Sequence, residues 1–412
     1  MTEYGKLPRV KKFKIVTLGC RTNQYESQGY ADQLRTLGYT PAEEGQVADV
    51  CIVNSCTVTE SADSSSRHQI RQLLREHSGA KIAVTGCMAE SAPEIIRELG
   101  KEIYLVPNAR KEKLVAELFP EKVLPEFKIE QFDDHTRAFV KVQDGCNSFC
   151  TYCTIPYVRG RSRSRQMEDI LDEVKGLIAN GYKEVVVTGI NVGDFDGGGR
   201  LADLVRAIDR VSGLERLRIS SIDPDEVDED LADAVLNGKT TCPSMHIVLQ
   251  AGSNITLKRM NRKYTRQIFL EAVEKMVQRN PDFTVTTDVI IGFPGETEAD
   301  FRETIDVMQR VRFAKVHMFP FSPRARTRAA LYPNPVPQEV IRRRKQELLR
   351  VAEQTAFALR QQFVGRTMSV LLENNESGHT ANFLKVLVKG GRPNDLVSCE
   401  LVANTPEGLI AQ

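Results

Sequence analysis

The chain has 412 residues, 41% hydrophobic and 27% charged, with a net charge of +1. That length exceeds one ordinary core and predicts two or three domains. No run of about 18 apolar residues offers a membrane span, and the near-neutral charge leaves any nucleic-acid surface to local basic patches. The lead MTEYGKLPRVKKFKIV lacks an apolar stretch before a cleavage site, so it reads as a polar approach to a strand, and the cytoplasm is the expected compartment.

The first segment alternates short apolar runs with longer amphipathic ones. Strands are expected at 12–18, 48–55, 81–86 and in IYLVP, with helices at 24–38, 62–79, 92–100 and 111–119. Such alternation predicts an open parallel α/β sheet over residues 1–120. A Pro- and Asp-containing linker follows over 121–136. A second βα series has strands at 137–143, 183–189, 216–221, 244–250, 282–292 and 314–321, and helical patterns such as 167–181 and 265–280. Six strands with crossovers predict a partial (β/α)6 barrel over 137–337. A charged helix is expected at 338–362, and the short strands TMSVLLEN, ANFLKVLVKG and DLVSCELVANT predict a small all-β domain over 363–412.

Nine cysteines in a chain without secretory features point to metal or redox chemistry before disulfides. DGCNSFCTYC sets Cys146, Cys150 and Cys153 at C-x3-C-x2-C spacing directly after a strand. Three thiolates on one short loop can hold three irons of a cubane [4Fe–4S] cluster and leave the fourth iron open; electron-transfer clusters use four cysteines. The plain alternative is a structural zinc site or free thiols, but zinc ribbons prefer two C-x2-C pairs, and no second pair lies nearby. Cys20, Cys56 and Cys87 follow three successive predicted strands. Ligands of open parallel sheets sit beyond the carboxyl ends of strands, so these three are candidates for a second three-thiolate site, against the alternative of unrelated loop thiols. Cys51, Cys242 and Cys399 read as small buried hydrophobes.

Other strand ends of the central domain carry polar or Gly-rich turns: Thr188 and Asn191, Ser221 and Asp223, Gln250, then Asp288 and the Gly292–Gly295 turn. Such ends line the active sites of barrel enzymes. Two basic patches stand out, Arg159, Arg161, Arg163 and Arg165 in one and Arg342 to Lys345 in the other. A solvated face is the plain reading of each.

With these residues in view, the chain resembles the radical S-adenosylmethionine methylthiotransferase family. LGC, NSCTV, TGCMAE, DGCNSFCTYCTIPYVRGRSRSR, LQAGSNITLKRMNRKYT and DVIIGFPGETEADF carry the resemblance, which spans essentially the whole chain and includes a C-terminal TRAM-like domain. GCRTNQYES is similar to the bacterial branch acting on threonylcarbamoyladenosine beside the tRNA anticodon; the isopentenyladenosine branch reads closer to GCQMNEYDSE and the ribosomal-protein aspartate branch closer to GCPKNLVDSE. Ala251 departs from the family's LQSGS, while Gln250 keeps its place.

The resemblance implies a cluster at Cys146, Cys150 and Cys153 that binds S-adenosylmethionine at its open iron. Its reductive cleavage would yield a 5′-deoxyadenosyl radical that abstracts hydrogen from C2 of the modified adenine. A second [4Fe–4S] cluster at Cys20, Cys56 and Cys87 would carry the sulfur, and a further S-adenosylmethionine would methylate it. Thr188, Asn191, Gln250 and Asp288 become expected cofactor contacts. Arg159, Arg161 and Arg163, with Phe383 and Lys385 of the last domain, become expected tRNA contacts. The implied electron donor is flavodoxin- or ferredoxin-like, and the sulfur source is not specified. The same chemistry on another substrate, or a non-catalytic iron–sulfur or zinc RNA-binding protein, stays open at this point.

Overall fold

The computed structural model describes residues 9–132 and 136–412. The first eight residues of the polar lead and residues 133–135 of the expected linker lie outside the described residues. The chain divides into two compact units, Met1–Gln131 with Thr154–Gly160, and Phe132–Cys153 with Arg161–Gln412. Among the described residues no helix is long and apolar enough to cross a membrane.

In the first unit, β1 (Lys12–Thr17), β2 (Thr40–Pro41), β3 (Val50–Ser55), β4 (Lys81–Gly86) and β5 (Tyr104–Leu105) pair in parallel in the order β2-β1-β3-β4-β5. β3, VCIVNS, is buried along its whole length, as a strand covered on both faces must be. Its alternate side chains divide between two cores. Ile52 joins Phe13, Tyr30 and Leu34; Cys51 and Val53 join Ile70, Leu73 and Ile96. The helix Glu60–Glu76 starts two residues before the expected 62 because Thr59 Oγ1 accepts from the Ala62 amide at 3.1 Å. The expected helix 92–100 is present as Pro93–Leu99, opened by Pro93, and a short helix the sequence reading did not expect, Cys87–Ser91, precedes it.

In the second unit, β6 (Arg137–Lys141) leads to a short antiparallel pair, β7 (Gln143–Asp144) with β8 (Arg163–Ser164). β9 (Glu184–Thr188), β10 (Arg216–Ile222), β11 (Thr241–Ile247), β12 (Thr284–Ile291) and β13 (Lys315–Pro320) complete a parallel six-stranded sheet, ordered β13-β12-β11-β10-β9-β6 and open between β13 and β6. The strand expected at 244–250 ends at Ile247, and Gln250 turns left-handed at φ +60° and rejoins the sheet through one bridge to Val289. The helix Gln338–Gln361 follows; Arg344 of its basic patch is buried on Glu296 at 2.8 Å, and Arg343 meets Glu298 at 2.7 Å.

The last domain is a closed five-stranded barrel of β14 (Thr367–Leu372), β15 (Ser377–Thr380), β16 (Lys385–Leu387), β17 (Leu396–Thr405) and β18 (Gly408–Ala411) around Val370, Leu372, Leu384, Val386, Leu401 and Leu409. Closure leaves no strand edge unpaired. The run ANFLKVLVKG is not one strand: Phe383 adopts φ +64°, so pairing begins only at Lys385.

This barrel docks at the amino ends of the half-barrel strands. Arg216 donates to the carbonyls of His379 at 2.9 Å and Ser369 at 2.7 Å, and Asn382 Nδ2 donates to the Asp282 carbonyl at 3.0 Å. Phe383 stacks on His379 with centroids 4.8 Å apart, under the guanidinium groups of Arg218 at 4.9 Å and Arg137 at 5.5 Å. Burial pushes the Glu184 carboxyl up, but Arg218, donating at 2.9 Å, with Arg137 and Arg216 outweighs it and holds the group below its ordinary range. Arg218→Met removes the main partner of this buried carboxylate. The expected loss is about 3 kcal/mol, read as a lower midpoint in denaturant unfolding; an unchanged midpoint contradicts the account.

Candidate functional site

The carboxyl ends of the half-barrel strands present the cysteine loop. Gly145, at φ +75°, turns the chain after β7, and Phe149, a non-glycine residue at φ +48°, turns it again between Cys146 and Cys150. Long-range contacts hold this shape. The Thr151 amide donates to the Met260 carbonyl and Thr151 Oγ1 to the Arg259 carbonyl, both at 2.9 Å, while Asn261 Nδ2 donates to the Phe149 carbonyl at 3.1 Å. Two donors face sulfur: the Ser148 amide toward Cys146 Sγ at 3.4 Å, and Arg262 Nη1 toward Cys150 Sγ at 2.9 Å. Cys150 is buried, and Cys146 and Cys153 are partly exposed. Burial raises the Cys146 thiol.

Among the described residues no group of three His, Cys, Asp or Glu side chains is arranged to hold a single metal ion. A cubane asks for something different, because each thiolate meets a different iron. Three thiols on one turn-rich loop, with donors already aimed at two of the sulfurs, fit that group.

The neighbouring strand ends bring the expected cofactor contacts together in two pairs. Thr188 ends β9, and Asn191 lies just beyond it with both residues buried. Gln143 Oε1 accepts from the amides of Ile190 at 3.1 Å and Asn191 at 2.9 Å, while its Nε2 donates to the Gly145 carbonyl at 2.8 Å. Gln143 thereby ties the β9 turn to the cysteine loop. Asn191 Nδ2 donates to Glu226 Oε1 at 2.9 Å. Gln250 and Asp288 are joined through the backbone, amide to carbonyl at 2.9 Å. Gln250 Oε1 is buried with no hydrogen-bond partner among the described residues, a vacancy a ligand donor suits. Asp288 Oδ1 lies 3.5 Å from His246 Nε2.

The second triplet belongs to the first unit. Cys20, Cys56 and Cys87 follow β1, β3 and β4, three adjoining strands, so one sheet edge carries all three. Gly19, at φ +94°, lets Cys56 approach: a Cβ there would stand 2.8 Å from Cys56 Sγ. Cys20 precedes the helix Arg21–Thr36, and its Sγ lies 3.7 Å from Asn23 Oδ1. Burial pushes the Cys56 thiol up and the Cys87 thiol up to about 12, so a bound metal would have to displace those protons.

Beside these thiols lies a buried ion group. Glu26 accepts from Lys111 Nζ at 2.6 Å and Arg159 Nη1 at 3.1 Å, and all three side chains are inaccessible or nearly so. Arg159 also donates to Asn23 Oδ1 and lies against Cys87. Two cations about one carboxylate suit a pocket whose thiols become thiolates.

These positions redistribute the expected RNA contacts. Arg159 is not on a surface; its fully buried side chain is spent on Glu26 and Asn23. Phe383 is held at the half-barrel floor by His379, Arg137 and Arg218. Arg161 stacks over Phe149 at 4.3 Å, Arg163 pairs with Asp144 at 3.1 Å with its side chain half exposed, and Lys385 is exposed. Sequence reasoning missed Gln143, Glu26 and Lys111, which lie within ordinary strand or helix patterns, and Glu226, which lies just past the Ser221 and Asp223 turn. Arg262 sits in the quoted run MNRKYT without being singled out.

Against this geometry, residues 140–308 match the radical SAM superfamily and residues 12–107 match the uncharacterized protein family UPF0004. The fold is similar to the radical S-adenosylmethionine methyltransferase TsrM from Kitasatospora setae, with a TM-score of 0.56 over 76% of this chain and 75% of that one at 15% identity. The open parallel half-barrel is the radical SAM fold, which brings S-adenosylmethionine and a [4Fe–4S] cluster as cofactors. A Chlamydia pneumoniae protein named threonylcarbamoyladenosine tRNA methylthiotransferase MtaB is 49% identical over 97% of both chains. A Desulforamulus reducens protein named tRNA-2-methylthio-N(6)-dimethylallyladenosine synthase is 36% identical over 97% of this chain and 92% of its own. The chain belongs to the radical S-adenosylmethionine methylthiotransferase family.

Glu226 gives this edge a pH signature. Burial, with Asp223 and Asp194 adding to it, pushes its carboxyl up to about 7 despite the bond from Asn191. Between the ordinary carboxylate range and pH ~7 the unfolded chain releases this proton and the native state keeps it, so native stability falls as pH rises through that window. Relative to Glu226→Gln, the wild type is expected to lose up to about 3 kcal/mol between pH 5 and pH 8. Denaturant titrations at both values check this, and a pH-independent difference contradicts it.

Proposed function

We propose that this chain inserts a methylthio group at C2 of N6-threonylcarbamoyladenosine beside the tRNA anticodon, using two molecules of S-adenosylmethionine and two [4Fe–4S] clusters, one on each cysteine triplet. The observation that carries the reading is the repetition of a three-cysteine arrangement, once on the half-barrel loop and once across the ends of β1, β3 and β4. A radical initiator needs one such site; a second provides somewhere to hold the sulfur that is transferred. The higher identity to the threonylcarbamoyladenosine enzyme than to the dimethylallyladenosine enzyme supports the choice of adenosine.

The cluster with S-adenosylmethionine supplies the radical chemistry needed to break an unactivated aromatic C–H bond. The chain's own residues bind and orient. Cys146, Cys150 and Cys153 would hold that cluster, and Cys20, Cys56 and Cys87 the other. Gln143 fixes the β9 turn that carries Asn191, Thr188 and Asn191 would meet the cofactor there, and Gln250 would offer its buried oxygen to a donor on it. Arg161, Arg163 and Lys385 are the tRNA-facing cations in this reading; Arg159 and Phe383 are withdrawn from it. A flavodoxin- or ferredoxin-like protein would deliver the electron, in the cytoplasm.

Nucleoside analysis of tRNA from a strain lacking this gene tests the substrate. The 2-methylthio derivative of threonylcarbamoyladenosine should vanish and its unmethylthiolated precursor accumulate, with restoration by the wild type and not by Cys56→Ala or Cys150→Ala. Persistence of that derivative, or loss of the dimethylallyl derivative instead, sinks the assignment.

A further inference from the structure

We propose that Arg262 is a positioning residue that sets the reduction potential of the loop cluster, and that Asp223 limits how far it does so. The inference rests on the reading that Cys146, Cys150 and Cys153 hold that cluster. The guanidinium is forked between two partners: Nη1 donates to Cys150 Sγ at 2.9 Å, and Nη2 to Asp223 Oδ1. Its side chain is only 6% exposed, so water screens this charge poorly. Nor is it free to swing away. The Arg262 amide donates to the Leu257 carbonyl at 3.0 Å, and Asn261 before it is anchored to the cysteine loop through Phe149. The Tyr264 ring lies 4.7 Å from the guanidinium, and the Tyr264 hydroxyl donates to the Leu249 carbonyl at 3.2 Å.

Taking up one electron makes a cluster more negative. A buried cation hydrogen-bonded to a ligating sulfur favours that state, since charge and bonds to sulfur are among the terms that tune such potentials. Asp223 lies on the far side of the same guanidinium and offsets part of its charge. The two residues therefore act in opposite directions: removing Arg262 makes reduction harder, and neutralising Asp223 makes it easier. A lysine keeps the charge but lacks the fork that reaches both partners, so Arg262→Lys should fall between the wild type and Arg262→Gln. The electron itself comes from a low-potential one-electron reductant and stays on the cluster, so no other group is consumed.

The test is an anaerobic redox titration of the reconstituted full-length protein, with dithionite as reductant, following the electron paramagnetic resonance signal that S-adenosylmethionine perturbs. That signal separates the loop cluster from any other. At the wild-type midpoint, Arg262→Gln should show about a tenfold lower reduced-to-oxidised ratio, a downward shift of ~59 mV for one electron. Asp223→Asn should shift the midpoint upward. An unchanged midpoint in Arg262→Gln at full iron content, or shifts of the same sign in both variants, overturns the proposal. Should Arg262→Gln fail to take up iron, Asp223→Asn decides alone: an upward shift supports the proposal, and an unchanged or lower midpoint overturns it. A wild-type protein with no signal responsive to S-adenosylmethionine overturns the reading of the cysteine loop, and this inference with it.

Discussion

Parallel pairing of neighbouring strands is the constraint on which the chemistry of this chain depends. In a parallel sheet every strand ends at the same edge, so residues far apart in sequence meet there. Cys20, Cys56 and Cys87 are brought to one edge because β1, β3 and β4 adjoin. The same rule gathers the cysteine loop, which follows parallel strand β6 by way of the short β7, the Asn191 turn after β9 and Gln250 after β11 at the other sheet. An antiparallel sheet of the same strands would send alternate ends to opposite edges.

Each triplet is accompanied by a buried arginine from elsewhere in its unit. Arg262 donates to Cys150, and Arg159 lies against Cys87 while anchored on Glu26 and Asn23. Burying a guanidinium is costly without anionic partners. Asp223 and Glu26 supply part of that compensation, and thiolates would supply more. The floor of the half-barrel follows the same logic, with Arg216, Arg218 and Arg137 gathered about Glu184 and the ring of Phe383. Buried cations thus stand beside a loop cysteine at one end of the half-barrel and hold the terminal barrel at the other.

Local pattern made much of this legible. β3 and β4 were apparent from their apolar runs, and the two cysteine groups from their spacing and their place after strands. Pattern could not show which polar residues turn inward. Arg159 stands in a run of alternating arginines that resembles a solvent-facing patch, and only the tertiary fold reveals that Glu26 and Lys111 wait for it. Phe383 looks like a stacking residue in a strand, yet its positive φ breaks that strand and sends the ring to the half-barrel floor. Gln143 reads as the last residue of a strand, and its role depends on the amides of residues 190 and 191, more than forty positions away.

The central claim is that one chain carries two separate three-cysteine cluster sites. Iron content after anaerobic reconstitution of the two triple variants tests it most directly, one with Cys20, Cys56 and Cys87 replaced by alanine and the other with Cys146, Cys150 and Cys153 replaced. The account predicts about eight irons in the wild type and about four in each variant, with S-adenosylmethionine cleavage lost only in the second. Full iron in either variant, or zinc in place of iron, would contradict it.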